Sequence, residues 1–232
     1  MTQHLSDADV HDGRTAPADA VSPPRVLAIG AHPGDIFIGA GATLLSHHAS
    51  RHQIDVVTMA GDEIGQPDGP AAALLDTSST TGGFLACTIG SDGASVTFLE
   101  HVIDLIAPDV IYTHSGNDHD PDHRNTNRAV LAAAGAVPSI YCFEIPATAS
   151  GFAPARYVDV DDHLSAKLRL LAEHPARTAC ANIHPHVVTR TARHWAGLGA
   201  STYAEALEVE REATPVRSPG GHHADVRTPV MV

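Results

Sequence analysis

Residues 25–35 read RVLAIGAHPGD, a short apolar run of β-forming residues that ends in a turn holding His32, Pro33, Gly34 and Asp35. Bounded by Pro23 and Pro24 on its N-terminal side, the run reads as a buried strand of a parallel sheet. The next segment, IFIGAGATLLSHHAS, has its apolar residues at helical spacing. QIDVVTMAG is then a second strand, and it leads into the polar loop GDEIGQPDGP. The stretch AAALLDTSSTTGGFLACTIG is ambiguous, because its Thr, Ser and Gly residues disfavour one continuous helix. An amphipathic helix, SVTFLEHVIDLIA, precedes the strand PDVIYTH; a helix through RNTNRAVLAAAGA precedes the strand SIYCFEIP. Further on, the segment around Tyr203 reads as a helix that packs in the core with Trp195.

This alternation of strands and helices predicts a Rossmann-like α/β domain, a mostly parallel sheet with helices on both faces. Ligands of such sheets collect beyond the carboxyl ends of the strands. Two polar clusters fall there: AHPGD after the first strand and THSGNDHDPDH after the PDVIY strand.

The length of 232 residues suits one domain with a substantial core. Its expected limits are a flexible leader over 1–24, the folded domain over 25–213 and a flexible tail over 214–232. A net charge of -13, with no cluster of Lys and Arg, excludes nucleic acid as a partner, since phosphate binding needs grouped cations. No apolar run approaches the ~20 residues of a membrane span, and the acidic leader has no apolar signal-peptide core. The expectation is a cytoplasmic protein with a small-molecule substrate and no membrane partner; a homo-oligomer stays open. Cys87, Cys142 and Cys180 fit no zinc-finger spacing and read as buried free thiols. Most of the 17 histidines read as non-functional, among them His4, His222 and His223 in the polar ends and the His47-His48 pair on an exposed helix.

His32 and Asp35 share one turn and can direct an imidazole and a carboxylate into the same space. Mononuclear zinc sites commonly use three such ligands. The bland alternative for Asp35 is a helix cap. The second cluster holds His114, Asp118, His119, Asp120, Asp122 and His123, an acidic loop that is costly to fold tightly without a cation or solvent. Its bland alternative is a solvated turn in which Asp122 caps the next helix.

AHPGDIFIGAGATL resembles the AHPDDE…G-x-G-x-T-L opening of the PIG-L/LmbE-like deacetylases, and NDHDPDHR resembles their HPDHR motif. GDEIG, YCFEIP, GFAPARYVDVDDHLSAKLRLLAEH and GLGASTYAEALEV come after them in the family's order, so the resemblance runs from about Arg25 to Glu212. It implies an LmbE-like fold and one divalent metal held by His32, Asp35 and His123. Zn²⁺ suits these ligands best, although Fe²⁺ or Mn²⁺ binds similarly. The implied reaction is removal of an N-acyl group from an amino sugar or similar amine, in specialised metabolism.

Three positions depart from the family. Its general base falls on Gly34, the following Glu on Ile36, and the first His of HPDH on Asp120. Asp122, which in the family orients that His, is present. One reading keeps amide hydrolysis, with Asp120 as a relocated base and His119 shifted into the missing His role. A second uses the metal as a Lewis acid for elimination, cyclisation or rearrangement. A third is a metal-retaining binding protein without catalysis.

Glu63 and Glu144 are expected at strand ends on the same rim, as substrate-binding residues. Glu144, on an otherwise apolar strand, is costly to bury unpaired; it binds a hydroxyl or an amine, or pairs with Arg190 or Arg193. The family's Arg-bearing segment after the second strand is replaced here by AAALLDTSSTTGGF, so the usual sugar contacts are not expected. His184 and His186 read as residues of a surface loop.

Overall fold

Strand β1 (Arg25–Gly30) lies inside a seven-stranded sheet, flanked by strands on both sides. Alternation along it sends Val26 and Ala28 into one core and Leu27 and Ile29 into the other. A strand buried on both faces needs an apolar residue at every position, which is what the sequence supplies. The computed structural model describes residues 22–61, 73, 75–77, 79–173, 184–198 and 201–213. The leader expected over 1–24 lies outside these except for 22–24, as does the tail over 214–232.

The other strands are β2 (Gln53–Ala60), β3 (Ser79–Phe84), β4 (Val110–His114), β5 (Ser139–Phe143), β6 (Arg156–Asp159) and β7 (Ala204–Arg211). Their spatial order is β3-β2-β1-β4-β5-β7-β6. The first five are parallel, and β7 runs antiparallel between β5 and β6. Helix α1 (Asp35–Ala49) and α4 (Leu164–Glu173) cover one face; α2 (Gly93–Ile106) and α3 (Pro121–Ala133) cover the other. Helix α5 (Pro185–Ala196) packs on β7. The Rossmann-like expectation holds. The strand order reverses between β1 and β4, which makes the carboxyl ends of these two strands the switch point where such sheets bind ligands. No described helix is long and apolar enough to cross a membrane.

Four local readings change. The ambiguous stretch contributes edge strand β3. The segment after Tyr203 is strand β7 and not a helix: Ala204 to Leu207 are buried between two strands, and this pairing overrides the helical preference of Ala, Glu and Leu. Cys142 is buried as expected, but Cys87 is exposed in a turn at φ 65° beyond β3; Cys180 lies outside the described residues. His47 is half-buried, its Nε2 2.9 Å from the Tyr112 hydroxyl and its Nδ1 2.7 Å from Nδ1 of His52, whereas His48 is exposed.

Helix α1 bends at Ala40, which has φ -124° and ψ 15°. The polar groups freed there are met by two buried side chains. Lys167 donates to the carbonyl of Ile38 at 2.6 Å. Glu205 accepts from the amides of Ala42 and Thr43, at 3.0 and 2.7 Å, and from the Thr43 hydroxyl at 2.6 Å. The two pair with each other at 2.6 Å. Gly39 lets the bent helix sit on β5: a Cβ there would stand 2.1 Å from the Phe143 ring.

Candidate metal centre

The turn 31–34 links β1 to α1. Gly34 is the residue before the first helical turn, at φ 93°, a left-handed conformation that glycine adopts freely. Asp35 is then the first residue of the helix, not its cap. Its Oδ2 accepts from the His32 amide at 2.8 Å, which folds both side chains onto one side of the turn. From the other side of the switch point, Asp120 caps α3 by accepting from the Asp122 amide at 2.8 Å, with Pro121 in the first helical turn. The cap is therefore Asp120 and not Asp122. That first turn brings His123 beside His32.

Three atoms meet there. His32 Nδ1 is 3.4 Å from Asp35 Oδ2, His123 Nε2 is 3.3 Å from the same oxygen, and the two nitrogens are 3.2 Å apart. All three residues are buried. Each imidazole is held from behind by a carboxylate. His32 Nε2 lies 3.0 Å from Asp122 Oδ2, and His123 Nδ1 lies 3.1 Å from Asp118 Oδ1. The His32–Asp122 hydrogen bond favours a ring proton on the outer nitrogen of His32, which leaves a lone pair facing inward. His114, at the end of β4, adds a fourth. Its Nε2 accepts from the Ala31 amide at 3.0 Å and is 3.3 Å from Asp35 Oδ2, and its ring stacks on His123 with centroids 4.1 Å apart.

Electron-rich atoms packed so closely require positive charge among them, which protons or a cation can supply. Burial opposes charge on His32, but Asp35 and Asp122 outweigh burial and raise its pKa. Burial opposes charge on His123 too, yet Asp118 and Asp35 push its pKa up to about 10. His114 goes the other way, because burial dominates and holds it neutral. Burial is the largest influence on Asp35 and raises its pKa, yet the imidazoles of His114, His123 and His32 around it together hold its carboxyl well below the usual range.

The donor set fits a divalent ion. A tetrahedral centre with ligands at about 2.0–2.1 Å has donor–donor edges of about 3.3 Å, and the edges here are 3.2, 3.3 and 3.4 Å. Asp35 Oδ1 is buried without a hydrogen-bond partner, a costly state that a cation relieves.

The remaining site residues divide. Asp120 is about a third exposed at the rim, with Oδ2 3.8 Å from His123 Nε2. Asp122 holds His32 and also accepts from the amides of Cys87 and Ile89, at 2.6 and 3.2 Å. His119 is exposed; its contacts are backbone ones, its amide donating to Ala147 and its carbonyl accepting from Arg124. Glu63 lies outside the described residues. Glu144 is half-buried and accepts from the indole N–H of Trp195, instead of pairing with Arg190 or Arg193. Arg193 donates to the Tyr203 hydroxyl at 3.1 Å. His184 and His186 are exposed, at the start of α5.

The roles of His114 and Asp118 did not emerge from the sequence. A histidine ending an apolar strand at a ligand-binding rim is the one signal that pointed to His114. Nothing in the spacing distinguishes Asp118 from its acidic neighbours.

No family model matches the chain. In sequence it is similar to an uncharacterized deacetylase, YaiS, of Escherichia coli (strain K12), with 29% identity over 170 residues, covering 64% of this chain and 89% of that one. Among solved structures it is similar to the N,N'-diacetylchitobiose deacetylase from Pyrococcus horikoshii, at TM-score 0.68 and 15% identity, over 84% of this chain and 88% of that one. It is also similar to GalB, the 4-carboxy-2-hydroxymuconate hydratase from Pseudomonas putida KT2440, at TM-score 0.64 and 16% identity, over 84% of this chain and 100% of that one. At these identities the solved structures establish the fold and leave the chemistry to the site.

Proposed function

For a chain that resembles the PIG-L/LmbE-like deacetylases in motif order and in fold, we propose a metal-dependent hydrolase that removes a small acyl group from the nitrogen of an amine or amino sugar of specialised metabolism. The observation that carries this reading is the triangle of His32 Nδ1, Asp35 Oδ2 and His123 Nε2, with a carboxylate behind each imidazole. A divalent ion in that triangle, Zn²⁺ by its mixed nitrogen and oxygen donors, supplies Lewis acidity toward an amide carbonyl and toward water.

The chain's own residues do the rest. Asp122 and Asp118 fix the ring orientations of His32 and His123. Gly34 offers no carboxylate where the family has its base, so Asp120 takes that role. One oxygen of Asp120 is engaged in the helix cap, which holds the other at the rim near His123. There it accepts a proton from the attacking water and returns it to the departing amine.

A second reading is favoured by one observation, the glycine at the base position. Without a carboxylate there, the same centre suits addition or elimination of water, and a hydratase among the fold neighbours supports keeping that chemistry in view.

The test is elemental analysis of the purified protein alongside acetate release from N-acetylated amino sugars and simple N-acetyl amines. The expected result is one metal per chain with acetate release, metal lost in His123→Ala, and turnover lost with metal kept in Asp120→Asn. Loss of a general base costs about 10²–10⁴-fold in rate. Metal without acetate release moves the assignment to the second reading, or to a metal-retaining binding protein if no turnover of either kind is found. Full activity in Asp120→Asn excludes the relocated base, and unchanged metal in His123→Ala overturns the site.

A further inference from the structure

Beside the metal cluster lies a cavity of about 310 Å³ that plays no part in the reading above. It is bounded by α1, the residues after β5, α4, α5 and the start of β7, on the same rim of the sheet. Its walls are largely apolar, with Ile38, Ile145, Pro146, Val188, Ala192 and Trp195 among them. The volume falls at the small end of the range for ligand pockets.

Three charged side chains line it, and two cancel. Lys167 and Glu205 are paired, and the helix bend engages both: Ile38 takes the lysine, while Ala42 and Thr43 occupy both carboxylate oxygens. Glu144 is different. Its Oε1 accepts from the indole of Trp195, a neutral donor. No Lys, Arg or His among the described residues lies within ion-pair distance of it. Burial accordingly pushes its pKa up, against the weaker influence of Trp195, His194 and Lys167. The indole is itself fixed in place, with the Phe152 and Tyr157 rings 5.8 and 6.0 Å from it. The cavity thus presents one oriented carboxylate, without a counter-ion among the described residues, to a space walled mostly by apolar side chains.

We propose that this cavity binds a primary ammonium group carried on a compact apolar frame, with Glu144 as its counter-ion. An ammonium supplies the missing cation, and the frame covers the apolar walls. The cavity also touches the cluster through one side chain: the Thr148 hydroxyl, in its wall, donates to Asp118 Oδ2 at 3.1 Å, and Asp118 holds His123. Taken with the hydrolase reading, and resting on it, this makes the substrate an amide whose frame carries a second, free amino group.

The experiment needs neither metal nor turnover. Trp195 is the only tryptophan of the chain and stands in the cavity wall, so its fluorescence reports occupancy. The full chain is titrated with cyclohexylamine and with cyclohexanol at about pH 8, where the amine is protonated and the carboxylate ionised. Both titrations are repeated after chelator treatment. The expected result is a saturable change with cyclohexylamine at least about tenfold tighter than with cyclohexanol, unaffected by the chelator. Glu144→Gln removes that preference and leaves the cyclohexanol response. Thr191→Lys, a change at an exposed position lining the cavity, weakens the amine by placing a competing cation there. Equal affinity for the two probes, no saturable response to either, or an unchanged preference in both variants overturns the proposal. None of these outcomes depends on acetate release or metal content, so the hydrolase reading stands or falls separately.

Discussion

Lys167 and Glu205 form a buried ion pair across the bend of α1, the lysine capping the carbonyl before the bend and the glutamate the amides after it. The pair satisfies its two charges and three backbone groups together, which is why it tolerates burial at 3% and 6% exposure. Removing one partner leaves the other charged and uncompensated. Lys167→Met is therefore expected to destabilise the fold by about 3–5 kcal/mol, measured by denaturant unfolding. Because Asp35 stands at the start of the same helix, metal affinity should fall with it. A loss below about 1 kcal/mol would show that the pair behaves like an exposed one.

Asp122 acts through His32. Asp122→Ala should lower metal affinity by about 10–100-fold without removing any ligand, read by competition with a chromogenic chelator. Asp122→Asn keeps an oxygen able to accept from His32 Nε2, so it should recover most of the affinity. Equal losses in both variants would mean that the carboxylate's charge, and not its hydrogen bond, is what the site needs.

Restoring the family's base should not be free. Gly34→Asp puts a carboxylate back where the resemblance expects one, but at a backbone φ of 93°. A non-glycine residue there costs about 1–3 kcal/mol. Reduced denaturant stability in both Gly34→Asp and Gly34→Ala is the expected outcome. Unchanged stability in both would show that the turn relaxes.

His47 should make the protein acid-sensitive independently of the metal centre. Burial, with a smaller contribution from the neighbouring His52, lowers its pKa from 6.5 to about 4. The unfolded chain thus takes up a proton below pH 6.5 that the folded chain refuses until pH 4, and stability falls as pH drops through that window. His47→Gln keeps a polar partner for Tyr112 and cannot titrate. Its Tm should fall less steeply between pH 6.5 and pH 4 than that of the unmodified chain; parallel curves would rule His47 out as the source.

That His32, Asp35 and His123 meet was legible because each sits in a short motif at the end of a strand whose pattern is strong, and parallel sheets bring strand ends together. The place of Asp120 on the same rim was legible for the same reason. The orientation of the cluster was not. That Asp122 serves His32, 90 positions earlier, comes from how α3 docks beside β1, which no spacing rule encodes. Likewise, Glu205 reads as one acidic residue in a helical-looking segment until β7 is threaded between two strands and meets α1, 162 positions away from Thr43. Glu144 was rightly expected to need a partner, but the partner is an indole brought in by α5. Local pattern fixed which residues have chemistry; docking of one element on another fixed which of them touch.

The carboxylate of Asp122 also holds the amides of Cys87 and Ile89, in the loop after β3. One anion therefore answers to a histidine of the centre and to a surface loop at once, which makes them thermodynamically linked sites. Whatever factor an arriving ion adds to the protection of those two amides, displacement of the loop must subtract from the affinity for the ion. A substrate that pulls on this loop would then loosen or tighten the centre without touching it, and amide exchange at Cys87 and Ile89 is where that coupling can be read.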